Sequence, residues 1–222
     1  MKLTVYTAIF GDYDVLAEPV FLSSDIKYIC FTDKEYESEN WDVRVVPIVE
    51  SSPRKEARKY KILSHKYIGD GISLWIDGSR CIYNNPIIYI RKLLRRYDLL
   101  TGLHPSRNCI YDEAAKCIKA NKGKRENITR QVIKYHKEGY PIHNGLINSS
   151  IMVRRITPKT IKVENDWWHE LSNFSVRDQI SFNYVAWKNN LEYRIINWRK
   201  FISTKPHKKR LLAQEKRKGR RK

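Results

Sequence analysis

A single carboxylate closes the segment ISLWIDGS (72–79). Ile72 to Ile76 is apolar except for Ser73, Asp77 ends the run, and Gly78 follows. A carboxylate at the edge of an apolar run is costly unless something pairs with it. At the end of a strand it can hold a divalent cation that bridges the oxygens of a diphosphate, and Gly78 lets a backbone or ligand approach closely. The same residues also spell an ordinary Asp-Gly turn without chemistry.

Other spacings point to charge recognition. Arg54, Arg58, Lys61 and His65 fall at i, i+4, i+7 and i+11, so a helix over 53–67 puts them on one face. That face either grips phosphates, with arginine as the bidentate partner, or is a solvated side opposite Tyr60, Leu63 and Tyr67. In SVRDQISF (175–182), Asp178 stands three residues after Ser175, the spacing of a capping box. If the helix start faces a cleft, Asp178 is also a base or a hydroxyl-binding group. His143, Asn144 and Gly145 precede a strand and suit either a sugar or a polar turn. The indoles of NDWWHE (165–170) either stack on sugar rings or fill the core. The chain carries no GxGxxG, P-loop, GxSxG or HExxH pattern. Cys30, Cys81, Cys109 and Cys117 form no CxxC pair, which argues against zinc, and none sits in a motif that would activate a nucleophile.

These residues need a frame. LTVYTAI (3–9), KYICFT (27–32), VRVVPI (43–48), ISLWID (72–77), LLTGLH (99–104) and GLINSSIMVRR (145–155) read as strands, several without clean alternation. Strands buried on both faces of a parallel sheet look like this. Helical patterns lie between them at 53–67, 87–97, 126–138, 159–171 and 176–188, the first with Ser52 as cap and Pro53 at its first position. The expectation is an α/β fold with a mostly parallel central sheet: one domain over 1–203 and a basic tail over 204–222. Ligands of open α/β sheets bind beyond the carboxyl ends of the strands, where FGDYD, TDK, DGS and HPSR fall.

The 222 residues are 41% hydrophobic, enough for a substantial core. No apolar run reaches transmembrane length and no signal-peptide pattern is seen, so a cytoplasmic protein with reduced thiols is expected. The net charge is +19, of which residues 205–222 contribute +9 from ten Lys/Arg and one Glu. The tail suits an anionic membrane surface to which the protein would be peripheral. Nucleic acid is the weaker partner for it, and the basic body suits phosphates or an acidic polymer. Oligomeric state is not set by any of these features.

VYTAIFGDYD, CFTD, PRKEARKYKILSHKYI, LWIDGS, HPSRNCIYDEA, EGYPIHNGLINSSIMVRR and WWHELSNFSVRDQISF follow one another along residues 4–190. As an ordered set they resemble a glycosyltransferase-like family named after plant seed-mucilage and turgor-regulation mutants. The resemblance implies a single GT-A-like, Rossmann-type domain that takes a nucleotide-sugar, a UDP-sugar first, and a glycan acceptor. It implies that Thr7, Ala8, Phe10, Tyr13 and Asp33 line the nucleotide pocket, Phe10 or Tyr13 stacking on the base. It implies further that Arg54, Arg58 and Lys61 meet the diphosphate and that Asp77 stands where related enzymes carry an Asp-x-Asp motif for Mn²⁺ or Mg²⁺. Asp178 would meet the donor sugar or acceptor hydroxyl, and His143, Asn144, Gly145, Trp168 and Gln179 would border the acceptor. Ser79 departs from Asp-x-Asp. His207 is the implied substitute ligand, beside Lys205 as a phosphate contact, by likeness to glycogenin-type enzymes. The alternatives are a GT-A-like glycan binder without turnover and a nucleic-acid or anionic-surface binder acting through its tail.

Overall fold

The computed structural model describes residues 2–204. Seven strands form one sheet: β1 (Leu3–Ile9), β2 (Ile26–Thr32), β3 (Asp42–Val45), β4 (Ile72–Ile76), β6 (Leu99–Leu103), β7 (Ile147–Arg155) and β8 (Arg194–Ile195). Their order is β3-β2-β1-β4-β7-β6-β8. β7 runs antiparallel to both neighbours, and the other pairings are parallel. The sheet is therefore mostly parallel, as expected. β5 (Arg80–Ile82) and β9 (Ile202–Thr204) make a separate antiparallel ribbon.

Both faces of the sheet are covered, which is why the strands lack clean alternation. Tyr6, Ala8, Phe10 and Trp75 share one core with residues of α1 (Pro53–Ile62), α4 (Ile110–Lys119), α5 (Arg125–Lys137), α6 (Pro158–Asn173) and α7 (Asp178–Lys188). Leu3, Val5, Ile9, Leu74 and Ile76 share the other with α3 (Ile87–Leu93), Trp198 and Ile202. No helix among the described residues is long and apolar enough to cross a membrane.

Three local expectations need correction. The helix over 53–67 breaks at Leu63 (φ −89°, ψ 53°), and α2 (Ser64–Tyr67) is a separate turn, so His65 leaves the basic stripe. α4 lies where no helix was expected, although Ile110, Ala114 and Cys117 mark its buried side. Asp178 forms no capping box with Ser175: α7 begins at Asp178 behind Arg177, and Ser175 Oγ accepts from the Arg177 N–H (3.2 Å). The segment 175–177 turns one residue too tightly for the box to reach the helix.

β1 leads to β2 on one side of the sheet while β4 lies on its other side, which makes a topological switch point between β1 and β4. Such points open a crevice beyond the carboxyl ends of the strands.

Candidate active site

A cavity of about 530 Å³ fills that crevice. Its walls are the end of β1 with its following loop (Ala8 to Gly11, Tyr13, Asp14), the start of α1, the end of β4 (Trp75, Asp77 to Ser79), and Val176 and Arg177. Each wall has a local cause. Ser52 Oγ accepts from the Lys55 N–H (3.2 Å) and Pro53 opens α1, so the helix starts at the cavity rim. A helix start presents unpaired N–H groups and a partial positive charge that favour anions. Gly11 turns the chain with φ +62°, and a Cβ there would meet Pro53 at 2.7 Å. The Gly11 N–H donates to both oxygens of Asp33 (3.0 and 3.1 Å), which pins this loop to the end of β2.

Asp77 serves as turn and cavity wall at once. Its carbonyl accepts from the Arg80 N–H (2.8 Å), and its N–H donates to the Ser150 carbonyl of β7 (3.0 Å). Asp77 Oδ1 accepts from Trp75 Nε1 (2.9 Å) and lies 3.5 Å from Lys61 Nζ. With its side chain 36% exposed, Asp77 still faces the cavity.

Behind this wall lies a buried ion cluster. Lys61 Nζ is 2.7 Å from Asp178 Oδ2 and donates to Ser149 Oγ (3.0 Å), and Ser149 donates to Asp178 Oδ2 (2.8 Å). Arg58 Nε lies 3.4 Å from Asp178 Oδ1 but lacks the alignment of a hydrogen bond. Burial would raise the Asp178 carboxyl, but Arg58, Lys61 and Arg177 outweigh it and hold the group well below the usual carboxylate range. Burial and Arg58 push Lys61 below the ordinary lysine value, against Asp178 and Asp77. An ionised, ion-paired Asp178 accepts protons poorly; it orients Lys61 and Arg58.

The segment HPSRNCIYDEA has a supporting part. Buried Glu113 pairs with Arg107 Nη2 (2.6 Å) and lies 3.6 Å from Arg177 Nη2, which steadies Arg177 at the cavity wall. The Nε atoms of Arg58 and Arg177 are buried without a hydrogen-bond partner, so the protein leaves both guanidiniums incompletely satisfied.

Ala8, Phe10, Tyr13, Arg54, Arg58 and Asp77 thus line one cavity. Phe10 is 1% exposed and stacks on Tyr60, whereas Tyr13 is 49% exposed. Thr7 lies outside the lining: alternation along β1 turns it to the face of Val5 and Ile9, where its Oγ1 is buried without a partner. Lys61 and Asp178 sit behind the wall rather than in it, and Asp33 serves the Gly11 loop. Gln179 Nε2 donates to the Ile147 carbonyl (3.0 Å), tying α7 to β7. His143 (φ +52°), Asn144 and Gly145 (φ +82°) form the turn before β7, apart from the cavity lining. Trp168 of α6 stands by Lys55 of α1, whose Nζ lies 5.5 Å from the indole ring centroid, while Trp167 Nε1 donates to the Asp178 carbonyl (3.0 Å). Lys205 and His207 lie outside the described residues.

Sequence reasoning missed Asp14, Arg177 and Ser149. Asp14 is the informative one: it lines the cavity, and a Cβ on Gly78 would lie 3.4 Å from its Cβ. Its Oδ1 accepts from the Val15 N–H (3.0 Å). Asp14 and Asp77 therefore both line the cavity, and carboxylate oxygens are ligands that Mg²⁺ and Mn²⁺ take. The FGDYD loop carried the signal, but adjacency to Gly78 required the sheet order.

Residues 1–211 match the sequence profile of the TOD1/MUCI70, glycosyltransferase-like domain. The chain is 26% identical over 213 residues to the "Probable hexosyltransferase MUCI70" of Arabidopsis thaliana, covering 82% of this chain and 37% of that protein. It thus spans well under half the length of that curated relative. Among solved structures it is similar to a glycosyltransferase involved in the glycosylation of the major capsid of PBCV-1 (TM-score 0.49, 9% identity, 89% of this chain and 83% of that one). It is also similar to mouse xyloside xylosyltransferase 1 in its apo form (TM-score 0.47, 7% identity, 89% and 85%).

Proposed function

The chain belongs to the TOD1/MUCI70 glycosyltransferase-like domain family, and from that premise we propose that it transfers a hexose or pentose from a nucleotide-diphosphate sugar, UDP-linked first, to a glycan hydroxyl. The observation that carries this reading is the cavity itself. A helix start, Arg54, Arg58 and Arg177 line it together with Asp14, Asp77 and the exposed ring of Tyr13.

The division of labour follows from the chemistry. The α1 start and the arginines hold the diphosphate and stabilise the charge that develops as it departs. Tyr13 stacks on the base. Asp14 and Asp77 are the residues that would hold Mn²⁺ or Mg²⁺, which when bound neutralises diphosphate oxygens. Lys61 and Asp178 fix Arg58 and Asp77 so that little reorganisation accompanies the reaction. Asp14 stands in for the carboxylate missing at Ser79, and His207 remains a further ligand of the proposal.

A thermal-shift screen of UDP-sugars with and without Mn²⁺ tests this. A donor at 100 times its Kd should add about 2.7 kcal/mol of stability, and Asp77→Asn should lose the Mn²⁺-dependent part. Release of UDP with acceptor glycan present should follow in the wild type. Absence of any nucleotide-sugar shift overturns the reading. Glycan binding indifferent to nucleotide-sugar would instead identify a binder without turnover.

A further inference from the structure

A second group of ligand-type side chains lies outside the cavity. Cys109 occupies the cap position of α4 and makes no capping hydrogen bond through its side chain. Asp112 stands in the first turn of that helix, and His143 lies in the turn before β7. One ligand atom from each falls within 4.8 Å of the other two. None of the three lines the cavity between β1 and β4.

We infer that Cys109, Asp112 and His143 bind a zinc-class divalent metal that clips the start of α4 to the β7 turn. Sulfur, carboxylate oxygen and imidazole nitrogen are the donor types zinc takes, and three protein ligands leave a fourth position for water. The absence of a CxxC pair argued against zinc only for sites built from paired cysteines; here the i, i+3 spacing on a helix start and a distant histidine do the same work. His143 holds a left-handed backbone at φ +52°, and Asn108 Oδ1 lies 3.0 Å from its Nδ1. A carbonyl-type oxygen on one ring nitrogen is the usual support of a ligating histidine. Cys109 is 3% exposed, so the metal would seat on a buried sulfur, with Asp112 and His143 closing it from the exposed side. The residue after Asp112 is Glu113, which pairs with Arg107 and approaches Arg177, so the clip stiffens the helix turn that supports the cavity wall.

The test uses the full chain, reduced with a non-thiol phosphine. Co²⁺ should produce a near-ultraviolet thiolate-to-cobalt charge-transfer band that Zn²⁺ abolishes, and competition with a chromophoric chelator should give one Zn²⁺ per chain. Mg²⁺ and Mn²⁺, which prefer oxygen ligands, should not displace the cobalt. Cys109→Ser should remove the band while Cys30, Cys81 and Cys117 remain as internal controls. His143→Asn keeps a residue that tolerates the left-handed backbone and should weaken Zn²⁺ binding by at least about tenfold, the scale seen when even an outer partner is lost. No band in the wild type, a band that survives Cys109→Ser, or unchanged Zn²⁺ affinity in His143→Asn overturns the inference. The last holds even if the buried Cys109→Ser variant fails to fold.

Discussion

Two buried charge clusters sit on the face of the sheet that α1, α6 and α7 cover, and Lys61 belongs to both. In the closed cluster, Arg154 of β7 reaches Glu164 (3.1 Å), the carbonyls of Lys61 (2.7 Å) and Ile62 (3.2 Å), and the Tyr6 hydroxyl. Glu164 also accepts from Ser64 Oγ (2.5 Å) and the His65 N–H (3.1 Å). None of these side chains lines the cavity. In the open cluster, Asp178, Lys61 and Ser149 are buried, but their neighbours Arg58 and Asp77 face the cavity. Both clusters cost desolvation. The first uses its charges to hold the end of α1 and α2 against β7. The second uses them to orient groups that remain available to a ligand. The two clusters meet in Lys61, whose carbonyl belongs to the closed one and whose ammonium belongs to the open one.

Breaking each cluster should separate these roles. Arg154→Met leaves Glu164 buried without its guanidinium and should cost about 3–5 kcal/mol of stability, read as a lower denaturant midpoint. Any residual folded fraction should bind UDP-sugar with unchanged affinity.

Asp178→Asn should cost less, roughly 2–3 kcal/mol at neutral pH, because Asp77 and Ser149 still face Lys61. This variant also carries a pH signature. The Asp178 pKa is depressed in the folded chain, so its stabilisation is complete above the unfolded value, about 3.9, and is lost as pH falls below it. The stability gap between wild type and variant should therefore narrow below about pH 4. A gap that stays constant down to pH 2 would mean that the carboxylate charge is not what Lys61 and Arg58 require.

Arg58→Ala should cost less stability than Asp178→Asn, because Lys61 and Arg177 still face the Asp178 carboxylate. It should nevertheless weaken UDP-sugar binding by about tenfold, the loss of one charge-assisted contact, measured by calorimetry. A large stability loss with unaltered binding would place Arg58 with the closed cluster and erase the distinction.

Most of the central sheet and its covering helices were legible in the sequence, while α4 and the short strands β5, β8 and β9 were not. Apolar runs without alternation marked the sheet, and Ser52-Pro53 marked the start of α1. What escaped was local or remote. The break at Leu63 removed His65 from its stripe because α2 turns to meet Glu164, a partner whose position no spacing rule contains. α4 was overlooked although Ile110, Ala114 and Cys117 carry its period. Asp178 was visible as a functional candidate, yet its neighbours were not: a polar residue looks the same in sequence whether it faces a cavity or the charged group behind one.

The amino-acid sequence by itself determined the class of fold, the family resemblance and the polar clusters that follow the strands, because periodicity, caps and turn residues act over a few neighbours. Only the tertiary structure decided which clusters meet. The order β2-β1-β4-β7 brings Asp14 beside Gly78 and puts Lys61 between Asp77 and Asp178, and the turn before β7 carries His143 to Cys109. Those contacts arise from burying both faces of one sheet, a condition imposed on the whole chain at once.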